Sequence, residues 1–253
     1  MRVAERRERI VALVAEKGRA TVEELAQQFE ASQETIRRDL TALADRNRLR
    51  KYHGGATLAE KANESAFNLR VTENAEAKRA IAATAARLFQ PGDALFVDTG
   101  STTLAFAAEL GRQEGLTVIT NSVGIAHHVS GGGSRTFLLG GEHRHEAGEN
   151  VGSLVVQQLA GFSPEHAVLT VGSISADGIR DFDLQEAEIA RAMIERCRRI
   201  TVLADSSKFQ RMGLFHLCPL SRIHRLVTES PPPEDLMRAL RSAGVEVLLP
   251  DSD

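Results

Sequence analysis

Residues 32–56, SQETIRRDLTALADRNRLRKYHGGA, decide how the N-terminal part of this chain folds. On a helical projection Leu40 and Leu43 fall beside Ile36, while Glu34, Arg37, Arg38 and Thr41 gather on the opposite side. One face therefore packs and the other is open to a partner. Ser32 is a good N-cap, and Gln33, Glu34 and Thr35 form the first turn, where a helix seated in a DNA major groove presents side chains to base edges. Arg37 and Arg38 reach guanine edges or phosphates from the same face. The run Arg46-Asn-Arg-Leu-Arg-Lys51 then leads into Tyr52-His-Gly-Gly55. This predicts a basic β-wing that touches the nucleic-acid backbone through Arg50, Lys51, His53 and Gly54.

Working upstream, Thr21-Val-Glu-Glu24 is a capping box, and Val22, Leu25, Ala26 and Phe29 make the apolar stripe of a short helix. Ile10, Leu13 and Val14 repeat at helical spacing in a segment ending near Gly18. Three short helices sharing one core, followed by a wing, predict a winged helix-turn-helix over residues 1–57. The competing reading is a solvated face on which Glu34 pairs with Arg37 and Arg38 at helical spacing. Agreement of capping, three-helix periodicity and basic wing favours DNA.

Charge divides where the motifs do. Residues 1–57 carry 12 Lys and Arg against 9 Asp and Glu, whereas the remaining 196 residues carry 19 against 25. A basic module on an acidic body suits a DNA reader attached to something else. Trp is absent and aromatics are few, so double-stranded operator DNA is a better partner than a single strand stacked on aromatic platforms. Cys197 and Cys218 form no CxxC pair or ligand cluster, which argues against a disulfide framework or structural zinc. With no signal-peptide pattern and no apolar run of membrane-spanning length, a cytoplasmic protein without membrane contact is expected.

Residues 58–73 are polar and aperiodic and read as a linker with Phe67 and Leu69 as anchor points, the second domain beginning at 74 and running to 253. From there apolar β runs alternate with helical patterns. Strands are expected at 94–97, 116–119, 136–139, 168–171, 200–203, 223–227 and 245–249, and helices at 80–89, 102–110, 184–196 and 234–243. Continuous apolar strands separated by helices imply an α/β fold with a mainly parallel sheet covered on both faces, whose ligands bind beyond the carboxyl ends of the strands.

Four of those strand ends are polar. Asp98-Thr-Gly-Ser-Thr-Thr103 opens a helix, and its backbone N–H groups, with Gly100 and the hydroxyls of Ser101, Thr102 and Thr103, suit an anion such as phosphate. The alternative is an ordinary turn with a Ser or Thr cap. Thr120-Asn-Ser122, Gly140-Gly141 with Arg144, and Asp205-Ser-Ser-Lys208 end other strands. Lys208 and Arg144 can neutralise a phosphate, while Asp98, Asn121 and Glu186 can hold sugar hydroxyls; Gly141 belongs to the same edge. His143-Arg-His145-Glu146 lacks a third ligand at metal spacing, His127-His128 lies on a helix surface, and Gly131-Gly-Gly133 matches no nucleotide loop, so no metal or cofactor is expected.

Taken in order, Glu34-Thr-Ile-Arg-Arg-Asp-Leu40, His53-Gly-Gly-Ala56, Asp98-Thr-Gly-Ser-Thr-Thr103, Thr120-Asn-Ser122, Gly140-Gly141 and Asp205-Ser-Ser-Lys-Phe209 resemble the DeoR family of bacterial regulators nearly end to end. The resemblance implies a winged helix-turn-helix and an effector-sensing domain similar in fold to phosphosugar isomerases. It also implies repression of a sugar-catabolic operon, release by a phosphorylated intermediate, and a homo-oligomer, dimer or tetramer. On this chain it puts the phosphate loop at Gly100 to Thr103, with Asn121, Gly141 and Lys208 in the same pocket. Tyr52 to Leu58, Asp181-Phe-Asp183 and Pro231-Pro-Pro233 are similar to the branch that represses glycerol-3-phosphate regulons; the Gly-Ser-Thr-Thr loop and Glu229 depart from it. An enzyme using Asp98, Glu186 and Lys208 as acid–base groups is the rival, and an activator with the same sensor a third reading; the intact DNA-reading module weighs against a catalyst.

Overall fold

The computed structural model describes residues 3–17, 19–44, 49–52, 54–58 and 67–251, and the chain divides into two compact units, Met1–Ala66 and Phe67–Asp253.

In the first unit, helix α1 (Val3–Lys17) leads into strand β1 (Arg19–Thr21) and helix α2 (Val22–Gln28). The Thr21 capping box closes in both directions: Glu24 N–H donates to Thr21 Oγ1 at 3.1 Å, and Thr21 N–H donates to Glu24 Oε2 at 2.7 Å. Helix α3 (Gln33–Ala44) follows, then strands β2 (Leu49–Tyr52) and β3 (Gly55–Leu58). β3 pairs antiparallel with both β1 and β2, giving a three-stranded wing. Ile36, Leu40 and Leu43 bury the predicted face of α3 against Ile10, Val14, Val22 and Leu25. Removing one such side chain costs about 2–5 kcal/mol, which is why the apolar spacing is so legible.

The second unit opens with helices α4 (Phe67–Thr72) and α5 (Ala75–Ala86). The linker expected at 58–73 is therefore shorter: Leu58 ends β3, Phe67 already begins a helix, and 59–66 lie outside the described residues. Strand β4 (Ala94–Val97), helix α6 (Ser101–Leu110), strand β5 (Thr117–Thr120), helix α7 (Val123–Ser130) and strand β6 (Arg135–Leu138) alternate as expected. A hairpin of β7 (Glu142–Arg144) and β8 (Glu149–Val151) precedes helix α8 (Ser153–Leu159) and strand β9 (His166–Thr170). Then come β10 (Ser173–Ser175), β11 (Gly178–Asp181), helix α9 (Leu184–Arg196), strand β12 (Arg199–Leu203), a 3-10 turn at Ser206–Gln210, β13 (Phe215–Cys218), β14 (Arg225–Val227), helix α10 (Glu234–Ser242) and β15 (Glu246–Leu248).

Seven strands form one sheet in the order β15-β14-β12-β9-β4-β5-β6, and every pairing in it is parallel. Alternate residues serve opposite faces. Leu95, Val97, Val118, Val168 and Leu203 pack under α5, α6 and α7, whereas Phe96, Ile119, Ala167, Leu169, Ile200 and Val202 join the core containing α8, α9 and α10. Burial on both sides explains the unbroken apolar runs. β10, β11 and β13 make a small antiparallel sheet that the periodicity did not announce, because each strand is three or four residues of mixed polarity. Its β10–β11 turn depends on Gly178, at φ +128° with the carbonyl of Cys218 only 2.2 Å from where a Cβ would stand.

Candidate DNA-reading face and effector crevice

The start of α3 is fixed by Ser32, whose Oγ accepts the Thr35 N–H at 3.1 Å and lies 2.9 Å from Thr35 Oγ1. Ser32, Gln33, Glu34, Arg37 and Arg38 are exposed and Thr35 is half-buried, so the predicted reading residues share one accessible surface. Glu34 Oε1 takes the Arg38 Nε at 3.3 Å, and Arg37 donates to Gln33 Oε1 at 3.2 Å. The helical pairing weighed in the sequence is thus present, on side chains exposed enough to exchange partners. From β2, Lys51 Nζ donates to Thr41 Oγ1 at 2.8 Å, which brings the wing cation beside α3. Gly54 turns the wing at φ +93°, and its carbonyl accepts the Val22 N–H at 2.8 Å. Arg50 lies in β2, but its side chain and the residue His53 fall outside the described part.

One residue of α3 escaped the sequence reading. Asp39 is buried, and its two carboxylate oxygens accept Arg6 Nε at 2.6 Å and Arg7 Nε at 2.8 Å. Two arginines of α1 therefore brace α3 on the side away from Arg37 and Arg38.

In the second unit, the direction in which successive strands are added reverses between β4 and β9: β5 and β6 lie on one side of this pair, β12, β14 and β15 on the other. Such a switch point opens a crevice beyond the strand ends. Asp98, Thr99 and Gly100 emerge there from β4. Gly100 is the N-cap of α6 and supplies no side-chain cap, while the Thr103 hydroxyl points back to the Gly100 carbonyl at 3.1 Å. The Ser or Thr cap considered from sequence is absent, which leaves the helix start to its backbone N–H groups and its positive dipole end. The glycine also has a second cause: a Cβ at Gly100 would stand 2.0 Å from Thr170 Cγ2 on neighbouring β9.

Around this loop the predicted residues fall into two sets. Asp98 is buried; burial first, then the charges of Asp181 and Glu149, push its carboxyl well above the usual range. Asn121, at the end of β5, donates its Nδ2 to the Asn150 carbonyl at 3.0 Å. Arg144 stands 3.1 Å from Asp183, 3.6 Å from Glu149 and 3.9 Å from Glu186, and also bonds Gln185. Arg144 thus ties the β7–β8 hairpin to the start of α9, a correction to its expected role, since a guanidinium committed to carboxylates is a poor phosphate ligand. Burial pushes Glu149 up despite Arg144. Burial acts the same way on Asp183, but the bonds from the Glu186 N–H and Arg144 outweigh it and hold Asp183 low.

The second set gathers beyond β12. Asp205 caps the 3-10 turn carrying Lys208, its Oδ1 accepting Ser207 N–H at 3.1 Å and Asn74 Nδ2 at 3.0 Å. Burial alone would raise the Asp205 carboxyl; the Ser207 bonds and the charges of Lys208 and Lys78 hold it low. Lys78, unremarked in the sequence, is buried and donates to the carbonyls of Arg70 and Glu73, the latter at 2.7 Å, fastening the end of α4. Burial lowers its ammonium, which Asp205 opposes. The acidic set at β4 and β5 and the basic set at β12 thus share one sheet edge, with β9 between them.

Gly141 answers a packing need: a Cβ there would meet the Val151 carbonyl at 2.6 Å, and Gln158 bonds both the N–H and the carbonyl of Gly140. Among the described residues no group of three or more His, Cys, Asp or Glu is arranged to hold a metal ion. Cys197 and Cys218 are free and buried, and burial pushes their thiols up to about 12 and about 11. No helix among the described residues is long and apolar enough to cross a membrane.

A winged helix-turn-helix joined to an α/β module with a polar crevice at its switch point defines a ligand-responsive DNA-binding protein. The DeoR-like helix-turn-helix domain matches residues 6–62 and the DeoR C terminal sensor domain matches residues 73–230. A glycerol-3-phosphate regulon repressor of Escherichia coli strain K12 is 31% identical over 251 residues, covering 98% of this chain and 100% of that protein. Another, from Haemophilus influenzae, is 32% identical over 250 residues, covering 98% of each. A structure of a D-ribose-5-phosphate isomerase in complex with phospho-erythronic acid superposes on 53% of this chain and 54% of its own at a TM-score of 0.41 and 15% identity. The chain belongs to the DeoR family of transcriptional regulators.

Proposed function

We propose that this protein represses a carbohydrate or polyol catabolic operon and leaves its operator when a phosphorylated sugar or glycerol phosphate binds at the carboxyl edge of the sensor sheet. The observation that carries the reading is the start of α6, N-capped by Gly100 with no side-chain cap, at the β4/β9 switch point. Oriented N–H groups at a positive dipole end suit a phosphate. Gly100, Ser101, Thr102 and Thr103 take the phosphate in this reading, Lys208 adds charge from β12, and Asp98, Asn121 and Glu186 face the carbon skeleton. On the other unit, Ser32 to Thr35, Arg37 and Arg38 read base edges while Arg50, Lys51, His53 and Gly54 touch the backbone. The reading includes a cytoplasmic homo-oligomer, dimer or tetramer, since paired recognition helices match paired half-sites.

Because a ligand moves an equilibrium only by its differential affinity for the two states, the effector must prefer the DNA-free arrangement. The test is a thermal-shift series on the full chain with glycerol phosphates, sugar phosphates and their unphosphorylated parents. At about a hundred times its dissociation constant an effector adds ~2.7 kcal/mol, roughly 5 to 10 °C for a domain of this size. A shift restricted to a phosphorylated compound is expected. Equal shifts by the parent compound, or none by any phosphate, contradict the reading.

A further inference from the structure

We propose that Glu149 selects the non-phosphate end of the effector by holding two neighbouring free hydroxyl groups, with Asn121 and Thr99 accepting further bonds from the same carbon skeleton. The inference rests on the phosphorylated-effector reading above and goes beyond it by naming what the rest of the ligand must offer.

The basis is a set of buried polar atoms that make no well-formed hydrogen bond within the fold. Glu149 is 0% exposed, and neither carboxylate oxygen has a partner at full hydrogen-bonding geometry, although the side chains of Thr99 and Glu186 approach closely enough to favour its charged form. Its ion-pair partner Arg144 stands off at 3.6 Å and is shared with Asp183 and Gln185. Thr99 Oγ1, which faces Glu149, and Asn121 Oδ1 are also buried and make no well-formed bond. Buried polar atoms nearly always find partners, so each such atom calls for a reason. Here they come from elements that meet at one place. Thr99 follows β4, Asn121 follows adjacent β5, and Glu149 lies on β8, bridged to Ser122 beside Asn121. The orientation of Asn121 is fixed as well, because its Nδ2 donates to the Asn150 carbonyl and a flipped amide would set oxygen against oxygen.

This end of the crevice thus presents acceptors. Phosphate and carboxylate groups offer no donor and would add negative charge among the buried carboxyls of Asp98, Glu149 and Asp181, which sends the phosphate to the α6 start. A hydroxyl donates without bringing charge, and a carboxylate with two open oxygens takes two adjacent hydroxyls at once. An ammonium also donates, but Arg144 already supplies a cation beside Glu149, and a second would be repelled. Phosphorylated polyols and sugars with adjacent free hydroxyls fit, whereas phosphorylated acids do not.

The test uses calorimetric titration of the full chain and its E149Q variant with inorganic phosphate, glycerol 3-phosphate, ribose 5-phosphate, glucose 6-phosphate, the matching 2-deoxy sugars and glucosamine 6-phosphate. Melting of both ligand-free proteins is measured alongside. At least a tenfold loss in E149Q is expected for the best hydroxylated phosphate, with a smaller loss for its deoxy analogue, less than twofold for inorganic phosphate, and melting of E149Q at or above wild type. Equal affinity of both proteins for the hydroxylated phosphate overturns the proposal alone. So does a lowered melting point of E149Q, which would make Glu149 a strut for Arg144, or a preference for the amino sugar that E149Q abolishes. Binding of none of the phosphates by wild type overturns the effector reading and the proposal with it.

Discussion

Asp39 in the middle of α3 accepts the Nε of Arg6 at 2.6 Å, and Arg7 occupies its other oxygen at 2.8 Å. The contact joins α1 to α3 across 33 residues and ties the helix that carries Arg37 and Arg38 to the rest of its unit. Asp39→Ala strands two partly buried arginines, a change costing about 3 kcal/mol when a buried pair is broken. It should lower the melting of the DNA-reading unit and abolish specific DNA binding. Arg6→Ala alone should cost less, since Arg7 remains. Differential scanning calorimetry with DNA-binding titrations checks both; full DNA binding by Asp39→Ala would show that the brace does not position α3 for DNA.

Arg38 is held by Glu34 at 3.3 Å before DNA arrives. Arg38→Ala should weaken binding to a specific duplex by about 1–3 kcal/mol if it reads a base. Glu34→Gln frees both arginines, so affinity for random duplex should rise and its salt dependence steepen. Fluorescence anisotropy at several salt concentrations measures both. An Arg38→Ala protein that binds like wild type would remove α3 as the reading helix.

Gly100 faces Thr170 so closely that Gly100→Ala must displace β9 or the α6 start. Overpacking of this kind costs about 1–3 kcal/mol. Thr170→Ser removes the offending Cγ2 and should restore part of the loss when combined with Gly100→Ala. A double-mutant cycle read by chemical denaturation gives the coupling. Additive effects would place the strain elsewhere.

The Asp98 carboxyl is raised by burial and by Asp181 and Glu149, so the folded state holds its proton more tightly than the unfolded chain does. Its contribution is complete below the unfolded value near ~4 and is lost as pH rises through the folded value. Asp205 and Asp183, held low, act in the opposite sense and lose their contribution as pH falls below that range. His166 and His224, lowered chiefly by burial, also weaken the fold on acidification. Comparison with Asp98→Asn separates these effects. The variant should be more stable than wild type at pH 8 and lose that advantage toward pH 5; a pH-independent difference would show that Asp98 does not titrate in this way.

What the sequence discloses follows from where each contact lies. Ile36, Leu40 and Leu43 are legible because a helix repeats its buried face every three to four residues, and the Thr21 capping box because its partners are three residues apart. Seven parallel strands show as apolar runs for the same local reason. Asp39 is illegible because its partners sit on another helix. Phe67, Leu69 and Val71 alternate like a strand, and α4 is fastened from outside by Lys78. Glu149 reads as a residue of a polar loop until the β7–β8 hairpin buries it. At the candidate site, the loop after β4 is visible as a motif, whereas the commitment of Arg144 to carboxylates depends on the approach of α9, more than thirty residues away.

In the proposed mechanism a phosphorylated ligand in the sensor unit releases DNA held by α3. The most direct measurement takes a duplex selected by the full chain from a random pool and follows its anisotropy while glycerol 3-phosphate, sugar phosphates and their unphosphorylated parents are added. A phosphorylated compound should raise the apparent dissociation constant at least about tenfold, equal to ~1.4 kcal/mol of coupling, while its parent does nothing. Unchanged DNA affinity across all the phosphates, or release by the parents to the same extent, would contradict it.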